Sequence, residues 1–350
     1  MRTLSLTRTT LLATALTAAL AAAAGHPADS LIQAERDFSA LSVEKGMRTA
    51  FMANLADDAI LFRPGPINGL KSWTARAEVP GRLAWGPGYV EISGAEDFGF
   101  SFGPWEYRET ADAKSGDYGD FLTVWRRDAK GAWKVALDCG ISHENPNHGV
   151  DLEPAIGPTH APPDTNAWRH GGLEAGGSVG HGGVGVAGGT GGFGISFGGG
   201  GFGIGVGGYT GYWRSPLDYE HDKTAHENNN LMTADRTLGF NVKKTGWAKA
   251  YSEVSAPDLR YFRSGALSTV GPDAAAEANA SRTRDVTWDY RGNGMSKSWD
   301  MGYVYGLAIA RTKGKSKPDT SAFVHFYRVD EAGKWKLMAD WEGAFPKRNP

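Results

Sequence analysis

The amino-acid sequence predicts an α+β protein built from two tandem copies of one domain. The segment 121–138 returns as 323–340, and each copy reads as two strands of alternating apolar residues around an Asp-x-x-Gly turn, which is typical of a β-hairpin. Residues 34–65 align without a gap on residues 234–265, and nine of these 32 positions are identical. A repeat of this length is too long for a solenoid unit and indicates two domains.

The recurring residues are spread over the whole repeat. The nine identical positions, each repeated 200 residues later, are Ala34, Arg36, Gly46, Ala50, Ala56, Asp58, Phe62, Arg63 and Gly65. Farther along, Trp85 aligns with Trp288, and the block 97–103 aligns with the block 300–306. Asp97 and Asp300 open these two blocks, and we interpret them as turn residues.

Two helices are predicted at the start of the first copy. The first covers Ser30–Lys45, where Ser30 and Gln33 form a capping box and Gly46 ends the helix. A second, short helix is predicted over Met47–Ala56. An extended segment follows and stops at two prolines near residue 65.

A curved sheet is predicted after the helices. Phe98, Phe100 and Phe102 alternate with small residues, so one face of this strand is aromatic and the other is small. The small face would let a helix or a ligand approach closely, and the aromatic face would pack or line a cavity. With the terminal hairpin closing the domain near Gly140, the order of elements predicts an α+β cone.

Three blocks carry a family resemblance. The combination of Leu83–Pro87, Asp97–Glu106 and Thr123–Asp138 resembles the SnoaL-like and DUF4440 branch of the NTF2-like superfamily, which includes ketosteroid isomerase homologues. The resemblance covers residues 30–145, and the second copy, 231–345, is more divergent. The resemblance implies a helix-covered curved sheet in each domain, with a pocket for a small, largely apolar molecule. This fold carries many chemistries, so the resemblance does not fix a reaction.

The remaining segments are predicted to be a leader and a linker. Basic residues Arg2 and Arg8 precede an apolar run ending at Ala24, which indicates a signal peptide over residues 1–24 and a periplasmic or secreted protein. The leader has no lipid-anchor cysteine, and no stretch is long enough for a membrane span. Residues 146–230 form a linker that is rich first in Pro and His and then in Gly.

The glycine-rich segment allows two interpretations. Residues 171–211 contain 22 glycines in 41 positions, which is typical of a flexible linker. However, the motif of residues 192–199 is repeated in residues 201–208 with regularly placed apolar residues. Such a repeat could form a hairpin or an adhesive surface.

Composition and motifs exclude several classes of partner. A net charge of −2 with interspersed signs gives no argument for nucleic acid. The single cysteine, Cys139, cannot form an internal disulfide. The Gly-x-Gly-x-x-Gly matches within the glycine tract neither follow a strand nor open a helix, so we reject a nucleotide site.

No metal site or cofactor is predicted. Seven of the nine histidines fall in the connecting region, with carboxylates nearby, but the spacings of His143 to His148 and of His221 to His226 match no standard zinc pattern. The proton-transfer chemistry implied by the family needs no cofactor.

Three residues are candidate acid–base groups. Asp138 and Asp340 end the last strand of each copy, and the resemblance suggests a carboxylate that removes a proton beside a carbonyl. The alternative is a turn residue bonded to its own backbone. His325 occupies the position of Thr123 and is either a general base or a hydrogen-bonded strand histidine. No complete isomerase set of Tyr and Asp can be carried over, so whether the protein is an enzyme stays open.

A second group of residues is predicted to bind the ligand. Arg63 and Arg263 end the first strand of each copy and either orient an anionic or carbonyl group or pair with Asp58 and Asp258. The chain also contains twelve tryptophans, enough for an aromatic-lined pocket as well as a core. The predicted aromatic ligand-binding residues are Trp85, Trp105, Tyr107, Trp125, Trp288, Tyr303, Tyr305 and Tyr327.

Two functional hypotheses follow. In the first, an exported protein binds a small, largely apolar molecule, with isomerase- or cyclase-type chemistry in one or both cones and the two domains paired as an intramolecular pseudo-dimer. In the second, the protein is a non-catalytic envelope factor that associates with itself or a partner through the glycine-rich segment. A further alternative makes the second domain only a structural mate of the first.

Overall fold

A computed structural model describes residues 25–110, 113, 116–160, 178–180, 183–187, 194–198, 201–205 and 216–345. The predicted signal peptide, residues 1–24, lies outside the described residues. The chain divides into two compact units, one of residues 1–162 with 229–350 and one of residues 163–228.

Two helices precede the sheet of the first domain. Its elements are α1 (Asp29–Lys45), α2 (Met47–Asn54), β1 (Leu55–Phe62), β2 (Pro66–Asn68), α3 (Gly69–Thr74), β3 (Arg82–Trp85), β4 (Tyr89–Ile92), β5 (Phe98–Arg108), β6 (Asp117–Arg127), β7 (Trp133–His143) and β8 (Ala155–Ile156). The sheet order is β2-β1-β7-β6-β5-β4-β8, and β3 also pairs with β5. Strands β1 and β7 are parallel, and β5, β6 and β7 form an antiparallel meander.

The second domain repeats this order. Its elements are α4 (Pro216–Thr245), α5 (Trp247–Val254), β13 (Ser255–Arg263), β14 (Thr269–Val270), α6 (Pro272–Ala278), β15 (Val286–Met295), β16 (Met301–Ala310), β17 (Asp319–Val329) and β18 (Trp335–Ala344). The sheet order is β14-β13-β18-β17-β16-β15, again with a parallel pair, here β13 and β18. The predicted architecture, two tandem α+β domains with helices on a mostly antiparallel sheet, is confirmed.

Glycine ends the first helix in both domains. Gly46 and Gly246 each have a φ of 92°, a backbone conformation that is unfavourable for residues with a Cβ atom. The first helix therefore ends at the equivalent glycine in both domains. The predicted capping box is wrong, because α1 is preceded by Ala28 and has no side-chain cap. Helix α2 ends at Asn54, two residues earlier than predicted, because the chain extends into β1 at that point.

The repeated hairpin turn has the predicted geometry. In the first domain the Oδ1 atom of Asp128 accepts hydrogen bonds from the backbone N–H groups of Lys130 and Ala132. Asp330 makes the same bonds in the second domain. The glycine of each turn has a positive φ, which explains why Asp-x-x-Gly recurs.

Small residues on the sheet let the first helix approach closely, as predicted. A Cβ atom at Gly99 would lie 2.7 Å from Cδ2 of Leu31 on α1, and one at Gly302 would lie 2.8 Å from Cδ2 of Leu231 on α4. The same helix-to-sheet contact therefore forms in both domains.

The opposite faces of the two sheets share one apolar cluster. The rings of Phe100 and Phe326 stack with centroids 4.5 Å apart, and Phe98 stacks on Tyr303 at 6.2 Å. The aromatic face that the sequence predicts on β5 thus packs against the other domain.

Equivalent turns of the two domains also exchange hydrogen bonds. The backbone N–H of Gly94 donates to Oδ2 of Asp300 at 2.7 Å, and that of Lys297 donates to Oδ1 of Asp97 at 3.4 Å. Asp97 and Asp300 therefore do more than shape their own turns, because each carboxylate binds the backbone of the other domain.

Residues 146–160, assigned to the linker by sequence, extend the first sheet. Strand β8 pairs with β4 in parallel, and the backbone N–H of Gly157 donates to the carbonyl of Val90. At the end of this segment, Nε2 of His160 lies 2.7 Å from Oε1 of the buried Glu91.

The unit of residues 163–228 contains a small antiparallel sheet. Its strands are β9 (Ser178–Gly180), β10 (Gly183–Ala187), β11 (Gly194–Gly198) and β12 (Gly201–Gly205), in the order β12-β11-β10-β9. The two copies of the repeated glycine motif supply β11 and β12, which pair in register. Across the described residues, no helix is long and apolar enough to cross a membrane.

Candidate functional site

The first domain holds a cavity of about 350 Å³ between its helices and its sheet. Most of the wall is apolar and aromatic, and a few polar groups enter it from β1, β6 and β7. The lining residues are Phe38, Met47, Phe51, Arg63, Leu83, Trp85, Trp105, Tyr107, Asp117, Phe121, Asp138, Cys139, Gly140 and Ser142. An apolar cavity with few polar groups is the usual form of a small-molecule site.

Two carboxylates line this cavity, the exposed Asp117 and the half-buried Asp138. Asp138 lies on β7, and its Oδ1 accepts a 2.7 Å hydrogen bond from Oγ1 of Thr123 on the neighbouring strand. Burial raises the pKa of Asp138 to about 6, while the Thr123 bond and the charge of Arg63 act in the opposite direction. A carboxylate with such a pKa is ionised for the most part at pH 7 yet basic enough to take a proton.

Glu35, on α1, is a second carboxyl group behind the cavity wall. It is fully buried, and its Oε1 accepts a 2.6 Å hydrogen bond from Nε1 of Trp85. Its Oε2 accepts from Nε1 of Trp125 at 2.9 Å and from Oγ of Ser101. Burial raises the pKa of Glu35 to about 7, although these three donors favour the ionised form. Glu35 holds Trp85 in the cavity wall and leaves a titratable charge near Asp138.

The corresponding position in the second domain is occupied by an ion pair. Asp340, the counterpart of Asp138, is buried and lies 2.8 Å from Nη1 of Arg263. Its Oδ2 accepts a 2.7 Å hydrogen bond from the Tyr251 hydroxyl. Arg263 also lies 3.5 Å from Glu342, which in turn pairs with Arg282 at 2.6 Å.

His325 belongs to the same buried network. Its Nδ1 lies 2.6 Å from Oδ1 of Asp235, and its Nε2 lies 3.7 Å from Oδ1 of Asp340. Tyr327 donates to Asp235 at 3.0 Å. Burial lowers the pKa of His325, but Asp235 and then Asp340 raise it to a greater extent. His325 is therefore enclosed by carboxylates and hydrogen-bonded within the domain.

The two equivalent aspartates have opposite pKa shifts. Burial would raise the pKa of Asp340, but the contact with Arg263, together with His325 and Tyr251, lowers it to about 2. Asp138 has no such contact, and its pKa is raised. The same position thus holds a permanently ionised, paired carboxylate in one domain and a basic, cavity-facing carboxylate in the other.

The structure separates the predicted site residues into three groups. The first lines the cavity and consists of Arg63, Trp85, Trp105, Tyr107 and Asp138. Trp125 lies behind this wall, fully buried and bonded to Glu35. The second group surrounds the network of the second domain and consists of Arg263, Trp288, His325, Tyr327 and Asp340.

Tyr303 and Tyr305 form the third group, which faces away from both cone interiors. Tyr303 stacks on Phe98, and Tyr305 meets Phe62 edge-on, both across the contact between the two sheets. On β16 the cone-facing residues are their neighbours, such as Val304.

The predicted pairing of Arg63 with Asp58 is not observed, because Asp58 pairs with Arg126. Asp258 likewise pairs with Arg328.

The sequence did not predict several polar residues of these sites, among them Glu35, Asp235, Tyr251 and Glu342. One signal was available, because Glu35 and Asp235 are both acidic at equivalent positions of the gapless alignment.

Within the described part of the chain, no group of three or more His, Cys, Asp or Glu side chains is placed to hold a metal ion.

The fold and cavity define a class of protein, two tandem α+β domains of which the first has a carboxylate-bearing cavity with a largely apolar wall. No protein-family model matches the chain, and no curated protein matches it. The chain is similar to a solved ketosteroid isomerase-like protein from Erwinia carotovora atroseptica, with 15% identity over 35% of this chain and 96% of that one and a TM-score of 0.30.

Two further solved structures are similar over 33% and 39% of this chain. An NTF2-like protein with a cystatin-like fold from Novosphingobium aromaticivorans is 14% identical over 39% of this chain and 93% of its own, with a TM-score of 0.31. An NTF2-like protein of unknown function from Shewanella oneidensis MR-1 is 12% identical over 33% of this chain and 98% of its own, with a TM-score of 0.29. The predicted resemblance to NTF2-like proteins is confirmed, and it concerns the fold alone.

Proposed function

We propose that the first domain binds a small, largely apolar molecule and that Asp138 removes a proton from it. The single observation that carries this proposal is the contrast between Asp138 and Asp340. Both carboxylates have the same place in the fold, but only Asp138 lines a cavity and lacks a directly paired arginine within the described residues. A base needs this combination of access and raised pKa.

The surrounding groups have definable roles in this chemistry. Thr123 donates a hydrogen bond to Oδ1 of Asp138 and restrains the carboxylate, which leaves the other oxygen for the substrate. Trp85 and Trp105 give the cavity an apolar wall in which a planar substrate can lie. Exclusion of water by this wall strengthens the attraction between Asp138 and an acidic C–H group.

The second domain is, in this proposal, a structural mate, and the chain is a pseudo-dimer. The stacked contact between Phe100 and Phe326 and the exchanged turn bonds of Asp97 and Asp300 support this arrangement. The closed network around Arg263 supports a structural role for this domain, because its charges are already paired. The leader predicted from the sequence supports a location in the periplasm or outside the cell as part of this proposal.

Hydrogen exchange at a carbonyl compound tests the role of Asp138. We expect the protein in D₂O to catalyse deuterium uptake at the acidic C–H positions of 2-tetralone or phenylpyruvate, followed by proton NMR. Asp138→Asn should reduce this rate by a factor of about 10²–10⁴, because the amide cannot accept the proton. Asp57→Asn, an exposed substitution on the same sheet, is the control and should keep the rate.

Two results would contradict the catalytic part. One is exchange by Asp138→Asn at the wild-type rate, and the other is wild-type exchange no faster than in buffer for either compound. The binding part is tested separately by the titrations described below.

The glycine-rich sheet supports a second candidate function, self-association of the chain. The motif repeats pair in register as β11 and β12, with Ile195 opposite Ile204 and Phe197 opposite Phe202. Deletion of residues 171–211 should then convert assemblies to single chains in native mass spectrometry, with deuterium uptake retained. Unchanged assembly after the deletion would rule this function out.

A further inference from the structure

The two equivalent arginines of the domains are anchored in the same way but have different partners. Nη1 of Arg63 donates to the carbonyl of Phe62, and Nη1 of Arg263 donates to that of Phe262, each at 2.8 Å. Arg263 is also within 4 Å of two carboxylates, those of Asp340 and Glu342. Within the described part of the chain, Arg63 makes no ion pair at this distance.

One substitution between the copies accounts for much of this difference. Counting along the repeated hairpin, Glu342 corresponds to Gly140 in the first domain. Gly140 lies two residues after Asp138 on β7, so both positions face the same side of the sheet, and both line the cavity. The first domain therefore lacks the carboxylate that completes the arginine site of the second.

The backbone does not require glycine at this position. The φ angle of Gly140 lies outside the positive range, and an added Cβ atom would lie 3.3 Å from the carbonyl of Asp120 and from Nε1 of Trp105. These contacts are tight but could be relieved by a shift of a few tenths of an ångström. The glycine thus leaves open a space in which the second domain has a carboxylate.

We propose that the ligand of the first domain carries a carboxylate that binds Arg63 in the space left by Gly140. This inference rests on the proposed function and names its ligand class, a small aromatic or apolar acid. The guanidinium offers a planar fork of N–H donors that matches a carboxylate. The volume of about 350 Å³ is at the lower end for small-molecule pockets and suits a body of one or two rings.

The contacts of the site favour a ligand with one negative charge over a ligand with two. In the second domain Arg263 lies within 4 Å of two carboxylates, those of Asp340 and Glu342. The first domain has Asp138 but no counterpart of Glu342, so one ligand carboxylate placed at Arg63 reproduces the contact made by Glu342. A second negative charge on the ligand would be repelled by Asp138.

Titration with matched acids and amides tests the inference. The probes are benzoate, 2-naphthoate and indole-3-acetate, each compared by calorimetry with its primary amide, which has the same number of non-hydrogen atoms. We expect at least one acid to bind at least ten-fold more tightly than its amide. Arg63→Met should weaken binding of that acid by about ten- to a hundred-fold, the usual effect of losing a hydrogen bond to a charged group. Binding of the amide should be unchanged.

Variants at position 140 give an independent readout. Gly140→Glu should weaken acid binding, because it supplies the carboxylate from within the chain, as the second domain does. Gly140→Ala adds only the tight Cβ contacts, so it should weaken acid binding by a smaller factor than Gly140→Glu and controls for those contacts. Arg126→Met, which removes an exposed arginine paired with Asp58, controls for the loss of surface charge.

The outcomes separate this inference from the proposed function. Equal binding of acids and amides, unaffected by Arg63→Met, would overturn the carboxylate inference and leave the apolar binding site standing. Failure of all six compounds to bind would overturn the binding site itself and the inference with it.

Discussion

Replacement of Arg263 by methionine is expected to lower the free energy of unfolding by about 3–5 kcal/mol. The substitution keeps an apolar stem but removes the positive charge from between Asp340 and Glu342, which are 1% and 9% exposed. Asp340 would then remain buried without its main partner, while Glu342 would keep its ion pair with Arg282. Burial of an unpaired charge is strongly unfavourable. Urea unfolding followed by circular dichroism measures the loss.

The first domain supplies a matched control. Arg63→Met removes the equivalent arginine, which is exposed and makes no ion pair among the described residues, so we expect a loss within about 1 kcal/mol. Equal losses for the two variants would show that the network of the second domain is not the source of its stability.

The low pKa of Asp340 gives the same prediction a pH dependence. Its pKa is about 2 in the folded protein against 3.8 ordinarily, so its contribution is present above pH 4 and is lost as the pH falls toward 2. In Arg263→Met this acid-dependent loss should be reduced, because the pKa of Asp340 is no longer lowered by its principal partner.

The features that occur in both copies could be predicted from the sequence. The turn glycines, the hairpins and the small face of β5 follow from local backbone and packing rules, and the structure has them in both domains. Asp138 and Arg63 were found because their counterparts are identical residues. Recurrence identified the positions, but it could not show that one aspartate is paired and the other is not.

The differences between the copies arise from side chains that are distant in sequence. Glu35 meets Trp85 and Trp125 only after the helix has packed on the sheet, across separations of 50 and 90 residues. Helical periodicity predicts that this face of α1 is buried and gives no reason to expect a carboxyl group there. The open space beside Arg63 depends on Gly140, whose importance becomes visible only beside Glu342.

The buried carboxyl group of Glu35 should make the protein less stable as the pH rises from about 4.5 to about 7. Burial raises its pKa from 4.5 to about 7, so the folded protein binds this proton more tightly than the unfolded chain does. The stabilisation is complete below pH 4.5 and is lost as the pH rises through 7. A shift of this size corresponds to about 3 kcal/mol. The raised pKa of Asp138, about 6, adds to the same trend.

Glu35→Gln isolates the contribution of this group. Glutamine keeps the shape and one acceptor for the indole N–H groups but cannot ionise, so unfolding free energies measured at pH 4.5, 6 and 7.5 should vary less than in the wild type. Adding Asp138→Asn should reduce the remaining slope further, and His325, whose pKa is also raised in the folded protein, accounts for the slope that stays above pH 6.5. Glu44→Gln, an exposed substitution on the same helix, should keep the wild-type slope. If the unfolding free energy of Glu35→Gln changes with pH as it does in the wild type, Glu35 does not change its protonation on unfolding. The neutral form of Glu35 would then have no part in holding Trp85 at the cavity wall.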